Sequence, residues 1–356
     1  MTGQFARTTR AARRRKLIAG ALAGVLSVLL TACGQDDSAA IAAKTDSLTG
    51  PQKEWYEEAV EEPPMKYYSI HDPSRLEDTV KAFEDKYPGL EVEPLRLTSG
   101  SLMVRYSQER ESNARTADMV TIADEKFVED GLSKGWLAPT DKGNIPSLAN
   151  LDDAWFNHGL AVAGILPLGI AYNTELVKNP PKDWTDVLDD SYRGKIAFPD
   201  FRASPVYAEQ GKLWIDKYGT DFLRGLKDQE PILVDSIVPG AQMIATGQAE
   251  IMVPTVPSNI QQLKEAGAPV DMAYPENIVG TQLFTAIGTD SPAQNTAKLF
   301  LDFLFTEEGQ EAFINTTGVS PIGSKGSIPL PTGFTRVGYG VVAETRKTMQ
   351  AIFQLS

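Results

Sequence analysis

Serines stand at three places in this 356-residue chain where a β-like run gives way to a helical one. Ser99-Gly100-Ser101 follows the alternating run 90–97, and either serine can cap the helix expected from Leu102. Ser204 with Pro205 follows the run 195–198 and reads as an N-cap with proline in the first helical position. Ser258, with Gln261 three residues later, follows 250–253 and fits a capping box. The free N–H groups and positive dipole end of such a helix hold a phosphate or carboxylate without a lysine. Taken singly, each serine is a helix cap and nothing more. Taken together, they mark strand ends that a two-part α/β chain would bring into one cleft.

Catalytic signatures are missing. The chain has no G-x-S-x-G elbow, no H-E-x-x-H, no EF-hand loop and no G-x-G-x-x-G after a strand. Gly318 to Lys325 approaches a phosphate-binding loop, but its Ser and Lys stand in the wrong order and a helix precedes it. His71 and His158 are the only histidines, too few for a site built on imidazole. No metal and no cofactor is expected, and His71 reads as a turn residue at the cleft edge.

The positioning elements follow from periodicity. Strands are expected at 66–70, 90–97 and 117–122, alternating with helices at 74–86, 102–112 and 125–134, and a helix at 51–62 precedes them. The apolar stretch 159–173 breaks the alternation and reads as a crossing between two units. A second unit repeats the texture, with a helix at 183–188 around Trp184, strands at 195–198, 232–234, 250–253 and 270–274, and helices at 204–217, 240–246 and 258–266. A second crossing is expected at 281–288. Helices at 292–305 and 307–315 then return to the first unit, and a last helix is expected at 341–353. The expected fold class is α/β, with two mixed or parallel sheets flanked by helices and joined by two hinge crossings.

Residues 13–16 (Arg, Arg, Arg, Lys) followed by the apolar run 17–30 form an export signal too short to span a membrane comfortably. Leu30-Thr31-Ala32-Cys33 resembles the lipobox of bacterial lipoproteins, which implies cleavage before Cys33 and lipidation of its sulfur. Residues 1–32 are then the signal peptide. Residues 33–50, rich in Asp, Ala, Ser and Gly, are expected to be a flexible tether. The chain carries 34 Lys+Arg and 47 Asp+Glu, and six of the bases but none of the acids precede Cys33. Such an acidic mature chain argues against a nucleic-acid partner. Cys33 is the single cysteine, so no disulfide within the chain is expected.

Gly169 to Asn173, Trp184, Tyr192 to Asp200, Glu308 to Phe313 and Gly318 to Pro321 resemble the type 2 periplasmic solute-binding proteins of ABC importers. The nearest subgroup contains ferric-iron, thiamine and phosphonate binders. The resemblance implies a two-domain fold, with domain 1 at 51–164 and 284–356 and domain 2 at 165–283. It implies a non-catalytic, lipid-anchored, extracytoplasmic monomer that closes on a small solute and hands it to an ABC permease and its ATPase. Carried over position by position, the cleft comprises Ser69, Ser99, Gly100, Ser101, Asp124, Tyr172, Arg202, Ser204, Thr255 and Ser258. Ferric binders of the subgroup place adjacent tyrosines where this chain reads 252–259 without one, so a small organic anion is expected ahead of iron, thiamine or a polyamine. The rival expectation is a lipid-anchored enzyme or sensor on the same fold.

Overall fold

The computed structural model describes residues 33–202, 205–336 and 342–354; the export signal and Ser204 lie outside them. Two helices open this part of the chain, α1 (Cys33–Ser47) and α2 (Gly50–Ala59). The first replaces the expected tether. Ala39, Ala40, Ala42 and Ala43 are strong helix formers, and Ile41 packs over Gly89 onto the core, giving an otherwise polar helix one anchoring contact. Lys44 adds a cation–π contact, 4.7 Å from the Tyr87 ring centre.

The first lobe is then built by alternation: β1 (Met65–Ser69), α3 (Pro73–Lys86), β2 (Val92–Arg96), α4 (Ser99–Glu111), β3 (Met119–Ile122) and α5 (Glu125–Ser133). Strands β4 (Phe156–Asn157), β5 (Leu160–Pro167) and β11 (Gly280–Ile287) complete a six-stranded sheet in the order β2-β1-β3-β11-β5-β4. Strands β1 to β3 are parallel, and β11 runs against both β3 and β5. Alternate side chains serve opposite faces. Tyr67, Met119, Ala161 and Leu283 pack beneath α2, α3 and the returning helices α10 (Gln294–Leu304) and α11 (Glu307–Phe313). Tyr68, Val120, Val162 and Phe284 pack beneath α4 and α5.

The second lobe has β6 (Gly169–Asn173), β7 (Ile196–Pro199), β8 (Ile232–Val234), β9 (Ile251–Thr255) and β10 (Val270–Ala273), in the order β10-β6-β9-β7-β8. Helix α6 (Pro205–Tyr218) follows β7, α8 (Ile237–Thr246) follows β8, and α9 (Pro257–Glu265) follows β9. The turn around Trp184 is a 3-10 helix closed by an Asp183–Asp186 capping box. One further helix, α7 (Thr220–Asp228), was not expected from the sequence; it buries Phe222, Leu223 and Leu226.

The lobes join where β5 passes into β6 and where the chain enters β11. At this hinge Leu168 N–H donates to Val279 O at 2.9 Å. The backbones approach too closely for side chains. A Cβ on Gly169 would lie 2.6 Å from Ala273 O, and one on Gly280 would lie 2.9 Å from Leu166 O. Gln210 of α6 clasps the second crossing, donating to Asn277 O and accepting from Val279 N–H, both at 3.1 Å.

In addition to these two crossings, the chain passes back to the second lobe after residue 328. Phe334 packs in both lobes, Thr335 N–H donates to Ile278 O at 3.0 Å, and α12 (Val342–Phe353) lies along α6 and α7. This corrects the expected assignment of 284–356 to the first lobe. The α12 face carries Met349 and Phe353, and the Phe353 ring stacks on Phe198 of β7 with ring centres 5.0 Å apart.

Candidate functional site

The registers turn the carboxyl ends of the parallel strands in both lobes toward the hinge. Strand β11 starts there opposite Pro167 and reaches Ile122, the end of β3, four residues later. Gly169, the first residue of β6, pairs with Thr255, the last of β9. In each lobe the helices leaving adjacent strands go to opposite faces of the sheet. In the first lobe, α3 after β1 packs on one face and α5 after β3 on the other. In the second, α6 after β7 packs with Ile251 and Val253, whereas α9 after β9 packs with Met252. Two such switch points open toward each other between the lobes. Crevices of this kind are where open α/β sheets bind ligands.

Ser69 ends β1 at the first switch point, fully buried, with its Oγ accepting from His71 N–H at 3.1 Å. Asp124 caps α5, accepting from Phe127 N–H at 2.7 Å. Asp72 caps α3 in the same way, from Arg75 N–H at 3.0 Å. Both of these helix starts are thus filled by carboxylates of the chain itself. The cap of α4 is Thr98, which accepts from Ser101 N–H at 3.3 Å, so neither Ser99 nor Ser101 is the cap; Ser101 is exposed, as is Gly100.

At the second switch point, α9 starts with Pro257 after Val256, and no side chain caps it. Ser258 is therefore not the cap but lies inside the first turn, nearly buried. Thr255, immediately before, is 0% exposed, and its Oγ1 has no hydrogen-bond partner among the described residues. Arg202 lies in the turn after β7 and is held by Asp200, with Nε 2.9 Å from Oδ1 and Nη2 2.7 Å from Oδ2. The Arg202 hydrogen bond in turn holds the Asp200 carboxyl below its usual range, so the turn presents an ion pair and not a lone positive charge. Tyr172 is not brought together with these groups. It pairs with Ile251 at the opposite end of β9 from Thr255, about 13 Å away by strand rise, beside Asp271 on β10.

Sequence reasoning missed the residues that join the lobes. Gln262 on α9 donates to Asp72 Oδ1 across the seam at 3.1 Å. Beside it, His71 Nε2 and Asp72 Oδ2 are buried without hydrogen-bond partners among the described residues. On the other flank, Glu125 at the start of α5 accepts from Gln282 at 3.1 Å and lies 3.4 Å from His158 Nε2, while His158 Nδ1 lies 3.1 Å from Glu129. Glu209 lies on α6 in the second lobe, half-buried. Burial, and then the charge of Glu125, push its carboxyl up to about 7. Among the described residues, no group of three or more His, Cys, Asp or Glu side chains is arranged to hold a metal ion.

A family model described as bacterial extracellular solute-binding protein matches residues 69–311. The chain belongs to this family. The match takes in both lobes and both switch points. Solute-binding proteins of this kind bind small ligands outside the cytoplasm and deliver them to the permease of an ABC importer; they are transport proteins, not enzymes. This solute-binding protein is 27% identical over 249 residues to an uncharacterized protein of Haemophilus influenzae, covering 66% of this chain and 70% of that one. It is 25% identical over 237 residues to the thiamine-binding periplasmic protein of Brucella melitensis, covering 63% and 68%.

Among solved structures, iron-bound HitA from Pseudomonas aeruginosa matches with a TM-score of 0.64 at 21% identity, covering 82% of this chain and 99% of that one. AfuA from Actinobacillus pleuropneumoniae with bound fructose-6-phosphate gives 0.62 at 22%, with the same coverage. These neighbours share the two-domain fold. Among the described residues of this solute-binding protein, no helix is long and apolar enough to cross a membrane.

Proposed function

We propose that this solute-binding protein captures a small organic anion, such as a phosphonate, phosphate ester or carboxylate, between its lobes. The observation that carries this reading is the start of α9. Its first N–H groups have no side-chain cap, and the buried Thr255 Oγ1 beside them has no partner, whereas Asp72 and Asp124 already occupy the starts of α3 and α5. An anion at α9 satisfies the open donors and the positive dipole end together. The reading rests on this helix rather than on Arg202, which Asp200 engages. Ser69 and Ser258 line the same crevice, with Ser99 to Ser101 at its rim. Residues 252–259 offer hydroxyl and amide groups without a phenolate, a donor set suited to hydrogen-bonding an anion rather than to hard ferric ion.

The protein works as a monomer, anchored to the membrane through a lipid on Cys33. This follows the lipobox reading of Leu30 to Cys33, since two or three acyl chains hold where one does not. Cys33→Ser is expected to abolish palmitate labelling, with the chain released or left as an unprocessed precursor; unchanged labelling would remove the anchor. For the ligand, a calorimetric screen decides. Saturable binding of a phosphonate, phosphate ester or carboxylate is expected. Tight binding of Fe3+, thiamine or a polyamine with no response to any anion would overturn the anion reading and leave solute transport intact.

A further inference from the structure

Two buried polar atoms at the seam lack partners, and their needs are opposite. His71 is 3% exposed, and Asp72 N–H donates to its Nδ1 at 3.0 Å, so the proton of the neutral ring stands on Nε2. Nε2 has no hydrogen-bond partner among the described residues. The Phe313 ring meets the imidazole edge-on, with ring centres 4.8 Å apart, and an aromatic ring is only a weak acceptor.

Asp72 supplies the other atom. Its Oδ1 accepts twice, from Arg75 N–H at 3.0 Å and from Gln262 at 3.1 Å, whereas Oδ2 is buried without a hydrogen bond. The Arg75 guanidinium is engaged by Asp78 at 2.6 Å. Oδ2 lies 3.4 Å from Nδ1 of the same imidazole, so the unmet donor and the unmet acceptor share one small patch. Leaving such groups buried and unpaired is costly. Gln262 fixes where this patch meets the second lobe, about 8 Å by helical rise from the open start of α9 at Pro257. One small solute spans that distance. An ammonium donates but cannot accept, and a carboxylate accepts but cannot donate. A hydroxyl does both.

We propose that His71 and Asp72 form a hydroxyl subsite, and that the solute is a hydroxylated anion: a polyol phosphate, hydroxyalkylphosphonate or hydroxy acid. Its anionic group lies at Thr255 and the start of α9, and its hydroxyl accepts from His71 Nε2–H and donates to Asp72 Oδ2. This rests on the anion reading above and narrows it. The hydroxyl is met by the first lobe and the anion by the second, so the solute is fully satisfied only when the lobes close.

The test is calorimetry on the full mature chain with three matched pairs: glycerol 3-phosphate against propyl phosphate, 3-hydroxypropylphosphonate against propylphosphonate, and 4-hydroxybutyrate against butyrate. Glycerol serves as the neutral probe and 3-aminopropylphosphonate as the amine analogue. The hydroxylated member is expected to bind at least tenfold tighter in the best pair. Asp72→Asn keeps a side chain able to cap α3 but replaces the free oxygen by an amide, and His71→Phe keeps a ring against Phe313 but removes the donor. Each should shrink the preference below about threefold while leaving the affinity of the plain anion nearly unchanged, with melting temperatures confirming that both variants fold.

Equal binding within every responsive pair would overturn the hydroxyl subsite and leave the anion reading standing. So would an amine analogue that binds tighter than its hydroxyl counterpart. A preference that survives both variants, or variants that weaken both members of a pair equally, would overturn the assignment to His71 and Asp72. Binding of glycerol tighter than every anion, or no binding by any probe, would overturn the anion reading and this one together.

Discussion

Thr255→Val separates a ligand-binding hydroxyl from a structural one. Thr255 is fully buried at the end of β9, and its Oγ1 is satisfied by nothing among the described residues. A buried hydroxyl without a partner costs a protein about 1–3 kcal/mol. Valine has nearly the same shape, so replacing the hydroxyl by a methyl should leave the unliganded protein as stable as before or more so. In the liganded protein the same hydroxyl donates to an anion, and a hydrogen bond to a charged group contributes about 1.5–3 kcal/mol. The variant should therefore bind the anionic solute roughly ten- to hundredfold more weakly, at about 1.4 kcal/mol per decade. Calorimetric titration gives the affinity, and a thermal melt without solute gives the stability. Unchanged affinity would refute the placement of the anion. A loss of affinity matched by an equal loss of stability would show that the hydroxyl has a structural partner in the free protein.

Gln262→Ala removes the 3.1 Å bond to Asp72 that spans the seam. Being near the surface, that bond should contribute about 0.5–1.5 kcal/mol to closure, so affinity should fall roughly two- to tenfold with no change in the melting of the unliganded protein. A melt that shifts while affinity stays put would show that the bond holds a lobe together rather than the closed state. For Glu209, burial and the charge of Glu125 raise the folded carboxyl from 4.5 to about 7. The folded protein therefore binds more protons than the unfolded chain between those values, and its stability falls as pH rises through that window. Glu209→Gln should flatten the fall in melting temperature between pH 5 and 7.5; an identical slope in the variant would assign it to other groups.

The alternation of strands and helices was legible because each strand is short, apolar and bounded, and each helix repeats its apolar residues at helical spacing. Leu76, Val80 and Phe83 of α3 show this directly. Helix α1 was not legible. Its composition has no periodic face, and Ile41 holds it through its contact with Gly89 and the core. The face of α12 was readable in Val342, Thr345, Met349 and Phe353, but the lobe it covers was not, because that depends on the third passage of the chain over the hinge.

At the site, the strand ends fell within two residues of their expected places while the caps slipped, to Thr98 in place of Ser99 or Ser101 and to Val256 in place of Ser258. Neighbouring hydroxyl residues compete for one turn, and Pro257 sets the start of α9. Periodicity also cannot tell a strand's direction, and the antiparallel run of β6 is what carries Tyr172 away from the hinge. Gln262 left no local signal, since it matters only through Asp72, its partner in the opposite lobe.

Small-angle scattering during a solute titration, read beside calorimetry on the same samples, tests solute capture between closing lobes most directly. The radius of gyration should fall as solute is added, with the same midpoint as the heat of binding, and the solute should be recovered unaltered. Saturable binding with no compaction, or conversion of the solute during the titration, would contradict it.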